Sequence, residues 1–381
     1  MLKFCKRCLY PDTKPELEFN ELGICSACTN YEWKQTINWN EKKNELKKIF
    51  EKYRSKDGKN YDCIIPVSGG KDSTYQTYVI KEEFGLNPLV VNFHPLDQTM
   101  VGHENLENLK RLGVDCIEFT ANPNVYAKMA KFGLTELGDF QWPEHIGIFT
   151  IPVQIAVKYK IPLIIWGENP QLEYGGPIKV STREVLDREW NEKHGGYFLD
   201  KIRPQDMTKY GFELGDLKPY LYPSDESIRK VGVTGIFLGS YINWDIFKQL
   251  EFVKKLGFKE NDQMKEGTYD KWENLDVYFT VFHDYFKFLK YGFGRATDHS
   301  SIEIRYGRMA REEGLKLVKK YEGKIPKMYL KEFLKAAKIT EEEFHKICDK
   351  FTNKDLFKKD ENGNLIKDKD GNLTKLYYDN F

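Results

Sequence analysis

Four short runs of mostly apolar, often β-branched residues recur along the first half of the chain: YDCIIPV at 61–67, PLVVNF at 88–93, DCIEFT at 115–120 and IPLIIWG at 161–167. Between them lie stretches with helical spacing, STYQTYVIKEEF, ENLENLKRLG and EHIGIFTIPVQIAVKYK. Strands that read as apolar runs rather than alternating patterns are buried on both faces, and helices between them supply the crossovers. The pattern predicts an α/β fold, a doubly wound parallel sheet with ligand chemistry at the carboxyl ends of its strands.

The 381 residues are enough for two or three domains. We divide them into a small metal module at 1–38, the sheet domain at 39–245 and a mostly helical region at 246–381. Residues 170–235 interrupt the sheet's rhythm with Gly, Pro and charged residues, and a stretch of that length is expected to be an insertion or lid near the site. IFLGSYINWD (236–245) is read as including a last strand, and LDVYFTVFHDYFKFLKYG and SIEIRYGRMAREEGLKLVKKYE as long helices. The tail repeats NGNL and DGNL, whose Asn-Gly and Asp-Gly pairs favour hairpin turns; it lacks the spaced acidic ligands and closing Glu of a calcium loop.

Lys plus Arg (59) nearly cancel Asp plus Glu (58), giving a net charge of +1 and no overall drive toward nucleic acid or anionic membrane. The N-terminus lacks the apolar run of a signal peptide and no window has the length of a membrane span, so a cytoplasmic location is expected. In that compartment the spacing of Cys5, Cys8, Cys25 and Cys28, as CKRC and CSAC, reads as a four-thiolate zinc site. A redox disulfide pair or an iron–sulfur centre would use the same ligands. Four thiolates leave zinc no open position, so the module is expected to be structural. Cys63, inside a strand, reads as core.

The first strand runs into SGGKDS. Ser68, Gly69, Gly70, Lys71, Asp72 and Ser73 would stand where strand gives way to helix, with glycines that let the backbone approach a polyphosphate and N–H groups aimed at it. Lys71 supplies positive charge and Asp72 could hold magnesium. The loop is neither GxxxxGK[ST] nor GxGxxG. After the fourth strand, WGENPQLEYGG places Gly167, Glu168 and Asn169 at the same sheet edge. A third polar cluster, KYGFGRATDHSSIEIRYGR, carries Lys290, Arg295, Asp298, His299, Arg305 and Arg308 and suits anion binding beside a nucleotide. Within it, His299 is read as a hydrogen-bonded structural histidine rather than a base.

SGGKDS resembles the pyrophosphate loop (PP-loop) of the N-type ATP pyrophosphatases, whose fold is adenine nucleotide alpha hydrolase-like. The resemblance implies ATP, Mg2+ and cleavage between the α- and β-phosphates. It assigns Ser68, Gly69, Gly70, Lys71, Asp72, Ser73 and Gly167 to nucleotide binding, and suggests that Glu168 and Asn169 contact the α-phosphate, magnesium or the acceptor. Together, CKRC with CSAC, VSGGKDS, WGENPQLEYGG and KYGFGRATDHSSIEIRYGRMAREEG resemble the N-acetyl sugar amidotransferases of bacterial surface polysaccharide and flagellin-sugar synthesis, across nearly the full chain. What this implies is adenylation of an acetamido oxygen and displacement of AMP by ammonia, giving an acetamidino sugar, with Lys71, Asp72, Glu168, Asn169, Lys290, Arg295 and Asp298 as candidate catalytic residues. Lipopolysaccharide O-antigen or pseudaminic acid synthesis is the setting it suggests.

No cysteine follows the initiator Met and none sits in a GxCxG-like elbow, so no built-in glutaminase is expected. The resemblance implies separate ammonia-supplying partners similar to the glutaminase and cyclase subunits of imidazole glycerol phosphate synthase. The alternative is a tRNA thiolation enzyme, which also joins CxxC modules to SGGKDS. That chemistry generally calls for further cysteines, and no third CxxC is present.

Overall fold

The computed structural model describes residues 2–195 and 202–376. In chain order the elements are α1 (Ser26–Lys34), α2 (Trp39–Tyr53), β1 (Cys63–Pro66), α3 (Lys71–Tyr78), β2 (Pro88–Phe93), α4 (Met100–Lys110), β3 (Asp115–Phe119), α5 (Pro123–Phe132), α6 (Trp142–Tyr159) and β4 (Leu163–Trp166). The four short helices α7 (Pro170–Tyr174), α8 (Ile178–Ser181), α9 (Arg188–His194) and α10 (Asp225–Val231) then precede β5 (Thr234–Phe237) and α11 (Ile246–Lys254). The remaining α-helices are α12 (Thr280–Tyr291), α13 (Arg295–Arg305), α14 (Arg311–Tyr321), α15 (Leu330–Ala337) and α16 (Glu341–Phe351).

All five strands are parallel, in the order β3-β2-β1-β4-β5. The α/β doubly wound fold is therefore as expected. Alternate strand residues serve opposite cores. Ile64, Leu89, Val91, Ile164 and Trp166 pack against α5, α6 and α12, while Cys63, Ile65, Val90, Leu163 and Ile165 pack against α2, α3, α4 and α11. β1, β2, β4 and β5 are sealed on both faces, which explains their apolar runs, whereas the edge strand β3 is half-buried to exposed. The strand order reverses between β1 and β4, and such a switch point opens a crevice at the strands' carboxyl ends.

Three expected boundaries are corrected. The last strand covers TGIF and stops at Phe237, because the chain then turns over the end of β4, where Gly239 N donates to Gly167 O. The helix expected from Leu275 begins only at Thr280. Leu275, Val277 and Phe279 are buried in alternation with Asp276 and Tyr278, an extended pattern, and Val277 pairs with Gln98. The helix expected from Ser301 through Glu322 is split into α13 and α14 at Gly307, whose φ of 69° lies in the left-handed region. The helix α5, which the sequence reading missed, fills the crossover between β3 and α6.

The repeats in the tail fold into two tight antiparallel turns, with bridges Lys359↔Leu365 and Lys367↔Leu373. Beyond them Lys375 is wholly buried and paired at 2.5 Å with Glu322. Glu322 Oε1 accepts from Gly294 N and Thr297 N, so the tail helps fix the start of α13. No helix among the described residues is long and apolar enough to cross a membrane.

Candidate active site

The loop after β1 is shaped by its glycines. Gly69 has φ +88°, and a Cβ there would lie 2.6 Å from Leu106 N on α4. Gly70 caps α3 with extended backbone. The loop's hydroxyls pair with its own backbone: Gly70 N donates to Ser68 Oγ at 3.2 Å and Gly69 N to Ser73 Oγ at 3.2 Å. The result is a preformed nest of N–H groups at a helix start.

A cavity of about 330 Å3 opens beside this loop, lined by Ser68 from the loop, Asp72 and Ser73 from α3, Asn92 from β2, Glu144 from α6, Gly167 and Glu168 after β4, and Asp276. It stands at the switch point, as the fold demands. Asn92 Nδ2 grips Val67 O at 2.8 Å, while its buried Oδ1 has no hydrogen-bond partner among the described residues. Asp72 Oδ1 is likewise buried without a partner. Burial first, then the charge of Asp72, pushes the Glu168 carboxyl up to about 7. Burial and Asp97 push Glu144 up to about 8. A polyphosphate cannot enter beside four carboxylates without cations, and Asp72 with Glu168 has the oxygen ligands that magnesium takes.

Lys71 is only 6% exposed. Its Nζ lies 2.6 Å from Asp72 and 3.1 Å from Glu273, and 4.8 Å from the centroid of the Trp272 ring. Burial opposes its charge, but Asp72 and Glu273 hold its pKa above the usual lysine value. Glu273 is pushed down to about 2: burial alone would raise it, and Lys71, His299 and Arg295 outweigh that. Arg295 joins Glu273 at 3.1 Å to Asp284 at 2.8 Å. His299 stacks on Trp272 at 4.8 Å and hydrogen-bonds Asp270 through Nδ1, the structural role expected for it.

Of the candidate residues, Ser68, Asp72, Ser73, Gly167 and Glu168 line one cavity; Gly69, Gly70 and Lys71 belong to the same loop; and Arg295 reaches Lys71 through Glu273. Three others are engaged elsewhere. Asn169 is fully buried and caps α7, accepting from Gln171 N and Leu172 N and donating to Ser181 O and Arg183 O. Lys290 donates to Leu137 O at 2.6 Å. Asp298 accepts from Tyr10 and pairs with Lys287, beside the cysteine module. The sequence reading missed Trp272, Glu273 and Asp276, which arrive on the extended segment before α12, and Glu144, which looked like the polar face of a helix. The polar residues of KWENLD (271–276), just before an apolar helix, were the available signal.

Cys5, Cys8, Cys25 and Cys28 are all fully buried, with ligating atoms within 4.8 Å of one another. Cys5 and Cys28 Sγ lie 3.8 Å apart, Cys8 and Cys25 3.6 Å. Tetrahedral zinc with bonds of about 2.3 Å sets sulfurs about 3.8 Å apart, so the cluster fits zinc. Arg7 N, Cys8 N and Cys25 N point at Cys5 Sγ, as donors to a thiolate do. The module is tied to the site. From α1, Asn30 Nδ2 bonds Gln171 O and Ser181 Oγ, and Lys34 pairs with Glu173 at 2.5 Å.

A second cavity, of about 580 Å3, lies between the 170–235 insertion and β5; Trp166 lines both cavities. Its floor is apolar, with Ile164, Val185 and Val233, and its rim carries Arg188, Glu192 and Arg229.

Comparison with known proteins finds partial similarities. An uncharacterised protein of Methanocaldococcus jannaschii is 33% identical over 105 residues, covering 27% of this chain and 36% of that relative, about a third of its length. The solved NMN synthetase from Francisella tularensis aligns over 71% of this chain and 94% of its own at 14% identity; its TM-score of 0.34 carries no argument about fold or function. Residues 266–369 match the family described as "LPS biosynthesis protein WbpG-like, C-terminal domain". That span holds Trp272, Glu273, Asp276 and Arg295, so the region that completes the candidate site is the one similar to the C-terminal domain of WbpG-like LPS biosynthesis proteins.

Proposed function

We propose that the protein is an ATP-dependent, AMP-forming amidotransferase that acts on an N-acetyl sugar in lipopolysaccharide synthesis. The observation that carries this reading is the SGGKDS nest at the β1–β4 switch point, closed by Trp272 and Glu273 of the WbpG-like domain. A nest of N–H groups with an adjacent lysine suits a departing pyrophosphate. Asp72 and Glu168 would hold magnesium, which neutralises phosphate charge when bound.

An amide resists ammonia because its oxygen is a poor leaving group. Transfer of AMP to that oxygen forms an O–P bond and breaks the α–β anhydride, releasing pyrophosphate. Ammonia then adds to the activated carbon and AMP leaves, giving an amidine. The larger cavity beside Trp166, with its apolar floor and charged rim, is where the sugar would enter. Ammonia would come from separate glutaminase and cyclase-like subunits.

The test is turnover with ATP, magnesium, ammonium salt and a panel of acetamido sugars, following nucleotide products and sugar mass. AMP and pyrophosphate formed only with one sugar, together with exchange of O for NH in it, are expected. ADP as product would refute the loop assignment, and AMP formed only with tRNA would move the reading to thiolation.

A further inference from the structure

Outside the phosphate loop, three side chains of metal-ligand type converge where α6 and α12 begin. His145 stands near the start of α6, His283 near the start of α12, and Asp139 on the turn before α6. Asp139 Oδ1 lies 3.0 Å from His283 Nδ1, and Asp139 Oδ2 lies 3.7 Å from His145 Nδ1. One ligating atom from each residue falls within 4.8 Å of the other two. The imidazoles meet edge to face, with centroids 4.9 Å apart.

The cluster is held by backbone. Asp139 N donates to Gly133 O at 2.9 Å, and its Oδ1 accepts from Gln141 N at 3.0 Å. The turn closes so tightly that a Cβ on Gly133 would stand 2.3 Å from Asp139 O. The carboxylate is thus fixed and buried, whereas the two imidazole side chains are 34% and 30% exposed. The ordinary alternative is a carboxylate accepting a hydrogen bond from each imidazole. It accounts for His283 but not for His145, whose 3.7 Å separation is too long for a hydrogen bond. A cation shared by all three suits both, because ligands about 2.0–2.2 Å from a tetrahedral metal stand roughly 3.3–3.6 Å from one another, a spacing that the 3.0 Å and 3.7 Å separations bracket.

We propose that Asp139, His145 and His283 form a second metal site, separate from the four cysteines, for a divalent first-row transition metal such as zinc. Two imidazoles with one carboxylate select that class over magnesium or calcium, which take oxygen ligands. Three protein ligands leave a coordination position open toward solvent, unlike the closed thiolate site. The site adjoins Glu144, whose side chain lines the nucleotide cavity. The assignment stands whether or not the protein amidates sugars.

The experiment uses the full chain, dialysed against a chelator that strips nitrogen and oxygen sites but leaves thiolate-bound zinc, and then titrated with Co2+. Metal analysis is expected to show one retained zinc, and the titration one further cobalt with d–d absorption and no thiolate charge-transfer band. His283→Ala, with His145→Ala as the second variant, should weaken cobalt binding by about 100-fold or more while leaving the retained zinc and the circular dichroism unchanged. Absence of the extra cobalt in the wild type would overturn the assignment. So would undiminished uptake in both variants, or displacement of the cobalt by magnesium.

Discussion

Glu168→Gln is the substitution for which the site's electrostatics make a signed, quantitative statement. Folding carries this carboxyl into a buried position beside Asp72 and pushes it up to about 7 from an ordinary value of 4.5. The native state therefore binds its proton more tightly than the unfolded chain does. Stability is gained as pH falls through 7, and the cost of holding the ionised form is fully present above it. At about 1.4 kcal/mol per pKa unit the ceiling is about 3 kcal/mol. Glu168 keeps partial contact with solvent at the cavity, which brings the expectation to about 1–3 kcal/mol. Glutamine cannot ionise and escapes that cost. Without nucleotide or magnesium, Glu168→Gln should be the more stable protein at pH 8, with the gap closing by pH 5.

In a chain of this length unfolding entropy is large, so the gap corresponds to only about 1–4 °C in Tm. Differential scanning fluorimetry of both proteins from pH 5 to 8 resolves it as a difference of paired melts. Glu144, raised to about 8, and Asp97, raised to about 6, titrate in the same window but are present in both proteins and cancel in the difference. Magnesium with ATP should reverse the order, because a bound cation rewards the carboxylate that the glutamine lacks, and turnover of the variant should fall. A variant less stable than wild type at pH 8, or a gap independent of pH, would refute the reasoning.

Lys71→Ala should lower AMP formation by about 100-fold or more in a coupled pyrophosphate assay, with the circular dichroism unchanged. Gly69→Ala puts a Cβ 2.6 Å from Leu106 N at a positive φ; a loss of about 1–3 kcal/mol in urea denaturation is expected, with turnover reduced beyond what that loss explains. Cys8→Ser should remove the thiolate-bound zinc and raise hydrogen exchange in residues 170–181, because Asn30 and Lys34 of α1 hold that segment. Exchange confined to residues 1–35 would show that the module does not support the site.

The sheet was legible because its inner parallel strands, sealed on both faces, leave short apolar runs rich in β-branched residues, separated by stretches with helical spacing. SGGKDS and the cysteine pairs were legible because each concentrates its function within a few consecutive residues. What escaped were contacts made by tertiary approach. Trp272 and Glu273 carry no periodic signal, and Leu275–Phe279 satisfies helical spacing as well as the extended path it takes when Val277 pairs with Gln98. Asn169 shows the converse difficulty. After a strand an asparagine at a helix start serves a cap or a ligand equally well, and here its four hydrogen bonds are spent on α7 and the 181–183 turn.

The charges around Lys71 alternate in sign from Asp72 through Lys71, Glu273 and Arg295 to Asp284. A buried lysine with two carboxylate partners is stable without ligand, but its ammonium cannot serve Glu273 and a β-phosphate in full at once. A triphosphate in the nest would therefore draw Lys71 away from Glu273. The carboxylate left behind would not be stranded, since Arg295 at 3.1 Å remains to balance it. Nucleotide binding would thus be felt first in the 270–276 segment of the WbpG-like domain, on the side where Asp276 meets the cavity. Glu273→Gln separates the two roles of that carboxylate: it should tighten ATP binding by removing a competitor for Lys71, and slow turnover by loosening Arg295. Tighter nucleotide binding with undiminished turnover would show that Glu273 only restrains the lysine and positions nothing else.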